Sequence, residues 1–183
     1  SEPVVAERDI RALVDGFDIA HFGRATPRFD VRDLRLVNGK LLHETPFAEV
    51  AERLSALGLK DAGPDFWEAV RPNLESVNDA VFWWQVATDP IAPPADAGAG
   101  PDFFAAAAGL LPPEPWDADT WGAWTKAVKA ATGAKGRGLF LPLRLALTGL
   151  DHGPELANLL PLIGRARAEA RLKAAGAAEP DGG

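Results

Sequence analysis

Arg144 is the side chain whose position most demands a chemical explanation. It lies inside the apolar run Leu139-Phe140-Leu141-Pro142-Leu143 and Leu145-Ala146-Leu147. A permanent charge in such a run must snorkel to water, pair with an acid, or reach a ligand. Asp151 and Glu155 follow closely enough to pair with it. The alternative is recognition of a nucleic-acid base, for which the planar fork of donors is suited. Just upstream, Ala134-Lys135-Gly136-Arg137-Gly138 is glycine-rich and basic, but it lacks the preceding strand and following hydroxyl of a nucleotide-binding phosphate loop. It reads equally as a flexible connection between helices or as a contact to phosphate. A third irregularity is Arg71-Pro72-Asn73, where proline interrupts a helical pattern and leaves two polar side chains beside the break. The six tryptophans could stack on unpaired bases. Trp67, Trp84, Trp121 and Trp124 fall on apolar stripes, however, which favours core packing.

Other chemistries find little support. The chain has no cysteine and its three histidines, His21, His43 and His152, are scattered, so no metal centre is expected. Ser1 and Ser76 belong to no nucleophilic arrangement with a histidine. The carboxylates are numerous but suit helix capping and solvated faces, so no catalytic residue is assigned. Charge is more informative. The 183 residues carry 19 basic and 26 acidic groups, net −7, which argues against coating of nucleic acid by bulk charge. Its distribution is uneven: residues 44 to 119 hold three basic and fourteen acidic groups, whereas residues 120 to 173 hold nine and three. The basic set is Lys126, Lys129, Lys135, Arg137, Arg144, Arg165, Arg167, Arg171 and Lys173. A local unit of this kind can meet phosphates although the whole chain is acidic.

The elements that must position these groups read as helices. Val5, Ile10, Leu13, Val14 and Phe17 have near-helical spacing, which fits a short helix that Gly16 would stop, and Asp30 can cap a helix bearing Val31, Leu34, Val37, Leu41 and Leu42. Thr45-Pro46 opens a stripe through Phe47, Val50, Leu54 and Leu57 to Gly58. Asp65 is expected to cap the helix that Pro72 breaks, and Leu74 to Ala87 to form a buried helix. Residues 89 to 100, rich in proline, glycine and alanine, read as a linker between two helical units. Beyond it, helices are expected over Phe103–Leu111, from Asp117 or Asp119 to Gly133, over Leu139–Leu147, from Leu156 past Pro161, and over Arg165–Lys173. A turn at Asp151-His152-Gly153-Pro154-Glu155 precedes the fourth of these. The tail beyond residue 175 is expected to be disordered. With no strand alternation, the fold class is all-α. Nothing approaches the roughly 20 apolar residues of a membrane span. The Ser1-Glu2-Pro3 opening and the absence of methionine suggest a piece of a longer, cytoplasmic protein.

Gly136-Arg137-Gly138-Leu139-Phe140-Leu141-Pro142-Leu143-Arg144-Leu145-Ala146-Leu147-Thr148-Gly149, followed by His152-Gly153-Pro154-Glu155-Leu156, closely resembles the C-terminal part of bacterial glutamyl-tRNA synthetases. Phe17-Asp18, Gly23-Arg24, Arg28-Phe29-Asp30, Leu34 and Asn38 resemble the family segment that follows its catalytic half. The resemblance implies the end of a stem-contact domain over residues 1–40 and two helical anticodon-binding subdomains over 41–95 and 96–175. It implies tRNA as partner, a monomer, and a catalytic domain in the same polypeptide that uses ATP and magnesium. His21-Phe22-Gly23-Arg24 only mimics the catalytic His-x-Gly-His signature, and a lysine-methionine-serine-lysine loop is excluded by composition. Binding without charging is therefore expected.

Carried over by residue, the resemblance makes Arg144 a contact to anticodon bases and makes Gly153, Pro154 and Leu156 the turn that receives one. Arg71 and Asn73 match an arginine-proline-arginine element of the anticodon site, with asparagine replacing its second arginine. Arginine only donates, whereas asparagine both donates and accepts. Asn73 is therefore expected to tolerate C or G at the third anticodon base, which admits glutamine as well as glutamate tRNA. Arg24, Arg28, Lys135 and Arg137 are expected along the tRNA backbone. The competing reading is a stand-alone helical protein-interaction or RNA-binding module.

Overall fold

A computed structural model describes residues 6–21, 30–94 and 96–177. The regular elements among the described residues are all helices, with no strand, as the pattern predicts. The helices are α1 (Ile10–Asp15), α2 (Val31–Glu44), α3 (Phe47–Ala56), α4 (Pro64–Val70), α5 (Ala80–Thr88), α6 (Pro101–Gly109), α7 (Ala118–Thr132), α8 (Arg137–Thr148), α9 (Leu156–Ile163) and α10 (Arg165–Ala177).

Local chemistry explains their ends. Asp30 caps α2 by accepting from the Arg32 amide at 2.8 Å. Asp117 accepts from the amides of Asp119 and Thr120 at 3.0 Å each, and the Thr120 hydroxyl accepts from the Asp117 amide, so α7 starts from a reciprocal capping box. Gly133 and Gly149 close α7 and α8 in the left-handed conformation. Pro142 and Pro161 lie inside α8 and α9 and remove one amide each from the ladder.

Two boundaries differ from the sequence reading. Pro64 occupies the first turn of α4, so Asp65 lies within that turn and Gly63 takes the capping place. The helix expected from Leu74 begins later, with a short 3-10 turn at Val77–Asp79 leading into α5. Asp79 accepts from the amides of Glu75 and Ser76 at 3.0 and 2.8 Å, and these side-chain bonds satisfy the backbone in a non-helical form. The later start changes the buried face: Trp83 is buried, while Trp84 is half-buried with its ring edge-on to Phe66 at 5.0 Å.

One cluster of buried apolar residues runs from Leu42, Trp67, Val70 and Leu74 through Phe104, Trp124 and Val128 to Leu143, Leu159 and Ile163. Within it α6 packs on α10, α7 on α9, and both α4 and α5 on α9. The segment between α5 and α6 is irregular yet packed, with Ala97 buried and Gly98 beside the ring of Pro142. The two N-terminal helices form where the spacing predicts them, with their apolar residues open to solvent: Ile10, Leu13, Val14, Phe17, Val31 and Leu34 are all more than half exposed, α1 buries no residue, and Val5 lies outside the described residues. Arg8 ties this region to α3 through Glu49 at 2.6 Å.

Candidate nucleic-acid interface

The C-terminal half of α8 and the turn after it bring together four of the residues singled out in the sequence. Arg144, half-buried, donates from Nη2 to the carbonyl oxygen of Pro154 at 3.1 Å. Its Nη1 is buried without a hydrogen-bond partner among the described residues. Neither carboxylate considered as a partner forms an ion pair with it. Burial pulls its pKa below the ordinary arginine value, while Glu155 and then Asp151 oppose this through charge alone. It remains a cation at neutral pH.

The turn itself is held rigidly. The Thr148 hydroxyl donates to the Arg144 carbonyl at 2.8 Å and accepts from the Leu150 amide at 3.2 Å. Gly153 has a φ of 128°, a conformation that L side chains rarely adopt, and a Cβ there would collide with the Trp83 indole. Trp83 on α5 therefore floors the turn from one side and Arg144 on α8 holds it from the other. Pro154 and Leu156 are buried, which seats the turn in the core.

Arg137, Phe140, Leu141 and Arg144 share one face of α8, at helical spacing, and with Asp151 they line a cleft of about 330 Å³. Phe140 is 47% exposed there, its ring tilted against Trp121 at 6.3 Å. An exposed aromatic face between two guanidinium groups is suited to stacking on an unpaired base. In the sequence Phe140 is one member of an apolar run, and its spacing three residues after Arg137 is the signal that sets it on the charged face. Asp151 is engaged by His152 at 2.6 Å, and that hydrogen bond is the main reason its carboxyl titrates below the usual range. At the other end of α8, Lys135 and Arg137 are exposed, and no side chain caps the helix.

The Arg71–Asn73 break is a 3-10 turn. Arg71 donates to the Thr45 carbonyl at 2.9 Å and pairs with Glu68, while the Trp67 indole donates to the same carbonyl at 2.7 Å. Its guanidinium is thus largely occupied in joining α4 to the α2–α3 junction. Asn73 is exposed, and its side chain has no hydrogen bond to a described residue. Arg24 and Arg28 lie outside the described residues. The basic helix α10 is less available than its sequence suggests: Arg171 is buried, Arg165 and Lys173 face Glu169 at 3.7 and 2.6 Å, and Arg167 donates to the Ile163 carbonyl.

Residues 100–176 match the family described as the anticodon binding domain. Glutamate-tRNA ligase 2 of Methylobacterium sp. strain 4-46 is 57% identical over 174 residues, 94% of this chain and 38% of that protein. Glutamate-tRNA ligase 1 of Parvibaculum lavamentivorans is 59% identical over 160 residues, 87% and 35% respectively. Over nearly its whole length the chain is similar to these glutamate-tRNA ligases, and it spans somewhat more than a third of their length. The crystal structure of a glutamate tRNA ligase from Elizabethkingia meningosepticum superposes with a TM-score of 0.72 over 92% of this chain and 37% of that one, at 17% identity, which shows the shared fold. Among the described residues no helix is long and apolar enough to cross a membrane.

Proposed function

We propose that this chain is the tRNA-binding, anticodon-recognising part of a glutamate-tRNA ligase. The observation that carries the reading is Arg144, held at the Pro154 carbonyl with no carboxylate partner, at a turn whose glycine only fits because it has no side chain. In this reading Arg144 contacts anticodon bases, Phe140 stacks on one, and Gly153, Pro154 and Leu156 form the receiving turn. Lys135 and Arg137 meet backbone phosphate, as do Arg24 and Arg28; such contacts position the RNA without reading its sequence. Arg71 shapes the second anticodon contact and exposed Asn73 makes it. Asn73, able to donate and accept, admits glutamine as well as glutamate tRNA.

Charging of tRNA, with its ATP and magnesium, belongs to the catalytic domain of the same cytoplasmic polypeptide, and the unit acts as a monomer. A titration with glutamate and glutamine tRNAs, comparing wild type with Arg144→Ala, tests the reading. Binding that weakens about tenfold in the variant supports it, being the factor expected for losing a charged hydrogen-bond donor worth about 1.5 kcal/mol. Equal binding by both proteins contradicts it.

A further inference from the structure

Arg171 lies outside the interface just described, yet it is the most heavily hydrogen-bonded cation in this part of the fold. It stands on α10, 3% exposed. Nη1 donates to the Leu147 carbonyl at 2.6 Å, and Nη2 donates to the carbonyls of Val86 and Asp89 at 2.7 Å each. Val86 and Asp89 stand at the C-terminal end of α5, and Leu147 stands in the last turn of α8. Carbonyls at a helix C-terminus lack intrahelical donors and carry the negative end of the macrodipole. One planar guanidinium thus satisfies two helix ends at once, a geometry that the compact ammonium of lysine does not reproduce.

Those two helices are the ones that grip the Gly153–Pro154 turn. Trp83 on α5 meets Gly153, and Arg144 on α8 holds the Pro154 carbonyl. We propose that Arg171 is a positioning residue of the tRNA interface: by fixing the end of α5 to the end of α8, it sets the spacing of Trp83 and Arg144 across the turn. The inference rests on the tRNA-binding reading given above. Burial lowers the Arg171 pKa to about 10, which leaves the side chain charged at neutral pH. The group is therefore a fixed electrostatic staple, and α10 contributes to the interface through it without touching RNA.

The test is the ratio of Kd values for a glutamate tRNA transcript with its own anticodon and one with the middle anticodon base replaced. The ratio is measured for wild type, Arg171→Met, Arg171→Lys and Leu172→Ala, at a temperature where circular dichroism shows each folded. Leu172, fully buried on the same helix, supplies a destabilised protein with the staple intact. Wild type is expected to prefer its own anticodon. Arg171→Met is expected to lose about tenfold of that preference, equivalent to about 1.4 kcal/mol, with Arg171→Lys intermediate and Leu172→Ala unchanged. An unchanged ratio in Arg171→Met, or an equal loss in Leu172→Ala, overturns the positioning role. Should Arg171→Met not fold, Arg171→Lys decides: a reduced preference for the transcript's own anticodon supports the role and a wild-type preference overturns it. Absence of anticodon preference in the wild type overturns the underlying reading as well, a result distinct from the preceding ones.

Discussion

Replacing Gly153 by alanine tests the geometry of the turn with a single methyl group. Two costs add in the native state. The backbone φ of 128° is strained for any residue with a Cβ, at about 1–3 kcal/mol. The added methyl also has nowhere to go, because it would overlap ring carbons of Trp83, which is itself buried. Forcing a methyl into a packed site costs about 1–3 kcal/mol as side chains shift to accept it. Together these give a loss centred on about 4 kcal/mol, which for a chain of this length lowers Tm by roughly 8–16 °C. Urea unfolding monitored by circular dichroism reads the free energy directly. Combining Gly153→Ala with Trp83→Ala removes the collision, so the pair should fall short of additivity by about 1–3 kcal/mol. A loss below about 1 kcal/mol for Gly153→Ala, or strict additivity in the cycle, would refute the reasoning.

Phe140→Ala should leave stability nearly unchanged, since the ring is half in water, and should weaken RNA binding by about 1–3 kcal/mol, the usual worth of one stacked base; filter binding alongside thermal melts separates the two. Lys135→Gln with Arg137→Gln should weaken binding to all tRNAs alike and flatten the salt slope by about 0.7 per lost contact to unpaired RNA, read from Kd at several salt concentrations. Asp117 has its folded pKa lowered mainly by the hydrogen bond with the Thr120 side chain and then by the Thr120 amide. Its stabilising contribution is therefore complete above the unfolded value of about 3.9 and is lost as pH falls through the lower folded value. Melts of Asp117→Asn should show a shallower loss of stability across that acidic window than wild type.

The parts of the fold legible in the sequence are those decided within one turn of the chain. Asp30 and Asp117 cap by reaching their own neighbours, and Gly133 closes α7 in a conformation that glycine adopts cheaply. Pro72 likewise announces its own break, because it brings no amide to the helix. Where the reading went astray, two local signals competed or a distant partner decided. The Leu74 to Ala87 stripe is apolar enough for one helix, but the Asp79 carboxylate captures the amides of Glu75 and Ser76 and delays it. Ile10, Leu13 and Val14 have core spacing, and no buried face within the described residues receives them.

The candidate interface divides in the same way. Arg144 was conspicuous because charge inside an apolar run is anomalous at the level of sequence. That it would choose the Pro154 carbonyl over Asp151 or Glu155 depends on how α8 and the turn pack. Trp83 under Gly153 and Arg171 across 82 to 85 residues are contacts between distant segments, for which periodicity holds no signal. In the sequence Arg171 is one of nine basic residues in a cationic segment, and only its burial separates it from the cations available to phosphate.

The central claim is that this chain recognises a tRNA through its anticodon. The most direct measurement is a Kd, at low and at moderate salt, for a glutamate tRNA transcript and for the same transcript with its anticodon bases replaced. The account predicts weaker binding of the replaced transcript at both salt concentrations, and affinity for both transcripts that falls steeply as salt rises. Equal affinity for the two transcripts, or affinity indifferent to salt, would contradict it.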